Sequence, residues 1–205
     1  MAQRSAPRFG LAILAGLAVL VAGWALLYLS APPGEYGFEE QSEVYRVNGG
    51  WLLMHVVPGA VALAVGALLF VARAFSAPGA FHRLAGALYV LSVICAGVAA
   101  LGLAITAYGG VSNVVGFTLL AMLWMLTTFL AVYRASLGDF EGHHLWMVRS
   151  YALTFAAVTL RLETGLLVAA GLSFDDAYLV VPWSSWSLNL VFAEWILLKK
   201  RARQA

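Results

Sequence analysis

The sequence predicts an all-α integral membrane bundle of six transmembrane helices. Three observations carry that expectation. Of 205 residues, 62% are hydrophobic and 11% charged, whereas soluble domains carry about 25% charged residues. So few charges cannot cover a globular surface. The apolar residues gather in runs of about 20, the length that crosses a bilayer. Basic residues collect at one end of these runs and acidic residues at the other.

The first span, roughly residues 10–30, follows a basic start and ends in "YLSA". Those features suit a cleaved signal peptide, but the apolar run is longer than a usual signal core, so a retained span is expected. The connector "APPGEYGFEEQSEVYRVN" has a PPG turn signal and the glutamates Glu35, Glu39, Glu40 and Glu43. It has room for a short amphipathic helix. The remaining spans are expected at about 49–72, 84–108, 113–134, 145–171 and 181–198. With no repeat and no room for a soluble domain, residues 1–205 form a single membrane domain.

Orientation follows from the cations near the span ends. Arg4, Arg8, Arg73, Arg83, Arg134, Arg149, Lys199, Lys200, Arg201 and Arg203 fall on one side, and only Arg46 on the other. The positive-inside rule then places both termini in the cytoplasm, and the setting expected is a bacterial inner membrane. The glutamates of the connector, with Asp175 and Asp176, lie outside. The bilayer is the principal partner. No nucleic acid is expected, and a membrane-complex partner or a homo-oligomer is left open.

Two polar levels stand out. At about 1.5 Å per residue, His55, Arg161, Glu163 and Asn189 share a depth in the outer half, beneath Trp183 and Trp186. His55, Gly59, Ala62, Gly66 and Arg73 form one helical stripe. Its small residues let a neighbouring helix approach, so His55 faces the bundle. Tyr151, Thr154, Val158, Arg161 and Gly165 form another. Arg161 and Glu163 point to opposite sides of their helix. Arg161 therefore needs an acceptor elsewhere, with His55, Asn189 and Glu194 as candidates. The second level lies at the cytoplasmic ends, where His82, Arg83, His143, His144 and Arg149 open two helices. Tyr89 shares the face of His82, and Tyr133 and Arg134 close the fourth span.

An intramembrane arginine costs a few kcal/mol at least and marks a functional site by default. The chemistry available is that of imidazole and guanidinium. His82 and His143, on different helices at one depth, suit the axial positions of a b-type haem, with Arg83 and Arg149 for its propionates. Their imidazoles are expected within about 15 Å of each other. His82, His143 and His144 also suit a metal, but lack the carboxylate or thiolate that zinc sites commonly add unless Asp139 or Glu141 joins. His55 and Arg161 suit a quinone carbonyl or an anionic headgroup. The leading expectation is thus a small redox or cofactor-binding module holding a b-type haem or quinone. One rival is a transporter or channel with a polar pathway through His55, Arg161, Glu163, Asn189 and Glu194. No broken helix pair or inverted repeat is legible in support of it. The other rival is an accessory subunit or assembly factor, in which the polar groups only hold helices together. No HExxH, GxSxG, P-loop or Rossmann fingerprint is present. Lone Cys95 excludes an internal disulfide and any CxxC motif. No catalytic residue is assigned, and enzymatic activity is left open.

The motifs "HVVPGAVALAVGALLF", "HRLAGALYV" and "HHLWMVRSYALTFAAVTLR" occur in that order. Over about residues 49–165 the chain resembles the bacterial membrane family called domain of unknown function 2306. The resemblance places His55, His82, His143, Arg149, Tyr151 and Arg161 on the family pattern. Ala87 departs from it, where a second arginine is more usual. The resemblance implies a polytopic membrane protein and supplies no activity.

Overall fold

The computed structural model describes residues 6–30, 38–74 and 79–202, without the side chains of residues 6–9, 28, 73 and 74. Glu35, Arg4, Arg203 and the side chains of Arg8 and Arg73 lie outside the described set. Helix α1 (Ala6–Ala25) runs into a 3-10 turn at Leu26–Leu29. A second 3-10 turn, Glu39–Gln41, leads into the short α2 (Ser42–Val47), which occupies the connector where an amphipathic helix was expected. The long helices are α3 (Gly49–Ala74), α4 (Gly79–Ala104), α5 (Val111–Ser136) and α8 (Phe174–Ala202). Between α5 and α8 stand α6 (Phe140–Thr154) and α7 (Ala156–Ala169), two halves of one apolar run. Among the described residues there is no strand.

Each long helix buries small residues and exposes large apolar ones. Ala62, Ala96 and Ala131 are fully enclosed, while Leu20, Leu84, Leu91, Phe129 and Val191 face outward. This arrangement is stable only where the surroundings are themselves apolar. Four stretches are long and apolar enough to span a membrane: Gly49–Ala72, Gly79–Ala104, Val111–Ser136 and Phe140–Ala169. Helix α1 contributes a shorter apolar stretch, Gly10–Ala25. Helix α8 begins seven residues earlier than the run at 181 suggested. It carries Asp175 and Asp176 in its first turn and Lys199, Lys200 and Arg201 in its last. Between those charged ends Ser184, Ser185, Ser187, Asn189 and Glu194 keep it out of the strongly apolar set.

Consecutive helices pack as neighbours: α1 on α3, α3 on α4, α4 on α5, α5 on α6, and α7 on α8. The close approach of α3 is made possible by Gly66. A Cβ there would collide with the Tyr151 ring, whose hydroxyl donates to the Leu63 carbonyl at 3.1 Å. Between α1 and α7 the contact is slight.

One departure from expectation lies at the bundle centre. The fifth span is broken at Phe155, although its sequence there has neither glycine nor proline. The Phe155 N–H still reaches Tyr151, but the Val158 N–H turns to the Phe155 carbonyl at 2.9 Å, a tighter 3-10 step. The Ala152 carbonyl instead accepts from Asn189 Nδ2 at 3.1 Å. A backbone interruption at membrane depth is tolerated only when buried protein groups satisfy it. Asn189 of α8 is that group.

Candidate functional site

His55 and Arg161 come together. His55 projects from α3, and its Nδ1 lies 3.0 Å from the Ala96 carbonyl of α4. A carbonyl only accepts, so Nδ1 carries the hydrogen, and in the neutral ring Nε2 offers a lone pair. Arg161 projects from α7. Its Nη1 donates to the Ala157 carbonyl one turn back, at 2.8 Å, and its guanidinium lies over the Trp24 ring of α1, 5.3 Å from the centroid. Neither His55, Asn189 nor Glu194 is its hydrogen-bond partner, contrary to the sequence expectation. Among the described residues no carboxylate pairs with Arg161.

Both residues line one cavity of about 550 Å³, within the range of small-molecule sites. Its walls are mostly apolar, with Val56, Leu63, Leu103 and Leu160 typical of them. Gln41, Tyr45, Tyr108, Phe174 and Tyr178 line its end nearest the 38–48 connector. On the flank between α1 and α7 the helices touch only slightly. Trp24 and Gly165 both line the cavity and are both exposed.

The other residues of this level have separate duties. Glu163 accepts from Ser184 Oγ at 2.6 Å, tying α7 to α8. Asn189, besides holding Ala152, accepts from Thr159 Oγ1 at 3.0 Å. These contacts belong to the broken span and do not touch Arg161.

At the other end of the bundle, the His82 and His143 rings stand edge to face with centroids 6.4 Å apart, inside the expected separation. His143 Nδ1 is bound to the Ala131 carbonyl at 2.9 Å, which leaves the lone pair of the neutral ring on Nε2. Arg83 is exposed. Arg149 is already engaged: Nη2 donates to Glu194 Oε2 at 2.9 Å and Nε to Oε1, with the guanidinium 4.7 Å from the Trp146 centroid. It is therefore held by a carboxylate, where a propionate partner was expected. Among the described residues no group of three or more His, Cys, Asp or Glu is arranged to hold a metal, so neither Asp139 nor Glu141 completes the set. Asp139 instead caps α6, accepting from the Gly142 N–H at 2.8 Å.

With the geometry in place, the comparison with known families is direct. A family model described as "Predicted membrane protein (DUF2306)" matches residues 52–197. The chain belongs to that family. The DUF2306 match starts near the resemblance read from the motifs and continues through most of α8, so Asn189 and Glu194 fall inside it. No curated protein and no solved structure matches the chain.

Sequence reasoning missed a third cluster, buried between the two levels. Tyr89 Oη lies 2.7 Å from Ser150 Oγ and 2.8 Å from Thr154 Oγ1. Ser150 Oγ lies 2.7 Å from Thr128 Oγ1, and Trp124 Nε1 donates to Thr154 at 2.8 Å. The only hints were Tyr89 on the face of His82 and Thr154 on the face of Arg161. Thr128 lies outside every quoted motif, and Ser150, though inside the last one, is overshadowed by its neighbours Arg149 and Tyr151.

Proposed function

We propose that the chain is a six-span bacterial inner-membrane protein that binds a membrane-dissolved amphipath, a quinone, in the outer-half cavity. The observation that carries the reading is Arg161: a cation beside His55, in an apolar cavity, without a carboxylate partner among the described residues. A buried charge is stable when paired or hydrogen-bonded, and the carbonyl at Ala157 takes only part of the guanidinium's five donors. A quinone carbonyl would accept from Arg161. The hydroxyl of the reduced ring would donate to His55 Nε2. The exposed flank at Trp24 and Gly165 supports entry from lipid and distinguishes this reading from a transporter for a water-soluble solute.

Quantifying quinone in lipid extracts of the purified protein tests this. Quinone should be retained by the wild-type chain and lost from Arg161→Met. Its absence from the wild type after purification and after quinone addition would overturn the reading, as would full retention by the variant.

A second reading has its own support, in the locked tautomer of His143 facing His82. A carbonyl on Nδ1 is how metal-ligating histidines are commonly oriented, so a b-type haem at this pair is the alternative occupant. A Soret band in the same preparation would favour it. In the six-span arrangement α1 and α8 both cross the membrane, with both termini in the cytoplasm. Reporter fusions at the C-terminus and in the 31–48 connector should then report opposite sides.

A further inference from the structure

The cavity and the His82–His143 level are separated by a packed layer, and the polar groups in that layer form a continuous line. Thr154 and Trp124 line the cavity. From Thr154 the hydrogen bonds run to Tyr89, from Tyr89 to Ser150, and from Ser150 to Thr128. All four hydroxyl-bearing residues are buried. Cross-helix hydroxyls in membrane proteins are often simply adhesive. This set has a further property: it can be satisfied in two opposite directions.

In one direction Thr154 donates to Tyr89, Tyr89 to Ser150, Ser150 to Thr128, and Thr128 to the Trp124 carbonyl, 2.8 Å away. In the other, Thr128 donates to Ser150, Ser150 to Tyr89, Tyr89 to Thr154, and Thr154 to the Ser150 carbonyl, 3.0 Å away. A carbonyl stands ready at each end, so neither direction strands a donor. The indole N–H of Trp124 bonds to Thr154 in both. A chain of hydroxyls with two complete polarities is what proton hopping requires.

We propose that Thr154, Tyr89, Ser150 and Thr128 form a proton path between the outer-half cavity and the His82–His143 end of the bundle. A proton arriving at one terminal oxygen forms a new O–H bond there, and that hydroxyl releases its original proton to the next oxygen. At the far end the terminal hydroxyl turns from its carbonyl to water and releases one proton there, and reorientation of the hydroxyls resets the chain. No electron moves and no bond other than O–H changes. Beyond Thr128, the chain reaches Ala131 in three residues, about 4.5 Å along the helix, and the Ala131 carbonyl holds His143. The path needs water beside the partly exposed His143 to cross that interval. The path stands whichever ligand fills the cavity, so its test is separate from quinone retention.

The test is proton flux into vesicles of phosphatidylcholine and phosphatidylglycerol that contain the full chain and a pH-sensitive dye. A pH step is applied with the membrane potential clamped by potassium and valinomycin. Flux should exceed that of protein-free vesicles and fall by roughly tenfold or more in Tyr89→Phe. Thr128→Val, close in shape and without the hydroxyl, should do the same and decides the matter if Tyr89→Phe does not fold. Wild-type flux equal to that of protein-free vesicles overturns the proposal. So does unchanged flux in whichever variant folds as the wild type by gel filtration.

Discussion

Arg149 and Arg161 lie on the same broken span and make an internal comparison. Arg149 has a carboxylate fork, Glu194, and an indole face, Trp146. Arg161 has an indole face, Trp24, but a backbone carbonyl in place of the carboxylate. Each is partly buried. Bidentate pairing with a carboxylate uses the guanidinium's geometry fully, so Arg149 is occupied and joins α6 to α8. Arg161 borders a cavity and keeps donors in hand. An intramembrane arginine is therefore not one kind of signal. Its partner decides whether it clamps helices or keeps donors unspent.

The largest effect that would sharpen this contrast is on stability. Arg149→Met should lower the unfolding free energy by about 2 kcal/mol, the scale of a hydrogen bond to a charged group, because Glu194 loses both donors. Chemical denaturation in detergent micelles, read by tryptophan fluorescence, measures it. The double variant Arg149→Met with Glu194→Gln should recover part of the loss, since the stranded charge is gone. Equal destabilisation by Arg161→Met would break the contrast and make both arginines clamps. The expectation for Arg161→Met is instead a quinone affinity about tenfold weaker, or about 1.4 kcal/mol, on a fold of nearly wild-type stability.

Much of this was legible in sequence, and the failures have physical causes. Depth is set by counting residues, so the shared levels of His55 with Arg161 and of His82 with His143 could be read directly. Helix faces are set by period, so the separation of Arg161 from Glu163 could be read too. Partners across helices are another matter. Arg161 meets Trp24, more than a hundred positions away, and Glu194 goes to Arg149 because α6 and α8 pack side by side at that height. The break at Phe155 was invisible because its cause is remote: Asn189 takes the Ala152 carbonyl from another helix, and nothing in "YALTFAAV" interrupts a helix locally. The hydroxyl cluster was hidden for a similar reason. Serine and threonine are common in membrane helices, and only packing shows which of them meet.

The break also ties the two arginines together, since it sits between them and sets their relative rotation. Asn189→Leu keeps approximate size and removes both polar ends. It should cost about 1 kcal/mol, the one hydrogen bond to Ala152, since Thr159 keeps the Phe155 carbonyl at 3.3 Å as acceptor, and should shift quinone affinity more than it disturbs the Arg149–Glu194 pair. A change confined to stability, with binding intact, would show that the break does not position Arg161.

The smallest effect concerns the roof over Arg161's cavity, which lies outside the membrane segments. Tyr108 donates its hydroxyl to Asp175 at 2.6 Å and packs near Phe174 and Tyr178, with ring centroids 5.9 and 6.3 Å away. The hydrogen bond to Asp175, a small desolvation and the negative charges of Asp175 and Glu40 raise the Tyr108 pKa above its ordinary 10.0. A raised folded-state pKa means that the contact's contribution is fully present below pH 10 and fades as pH climbs through the folded value. Above that value a tyrosinate faces Asp175 and Glu40 and is repelled by both. Tyr108 is only half-buried, and solvent screens the contact, so the change is small. It should appear as a slight alkaline loosening, measured by the protease sensitivity of the 38–48 segment, and should vanish in Tyr108→Phe. If Arg161's ligand enters from lipid, past Trp24, Tyr108→Phe should leave the rate of quinone uptake at neutral pH unchanged. Faster uptake in that variant would mean that the ligand passes through the roof, and the cavity would then open to water rather than to the bilayer.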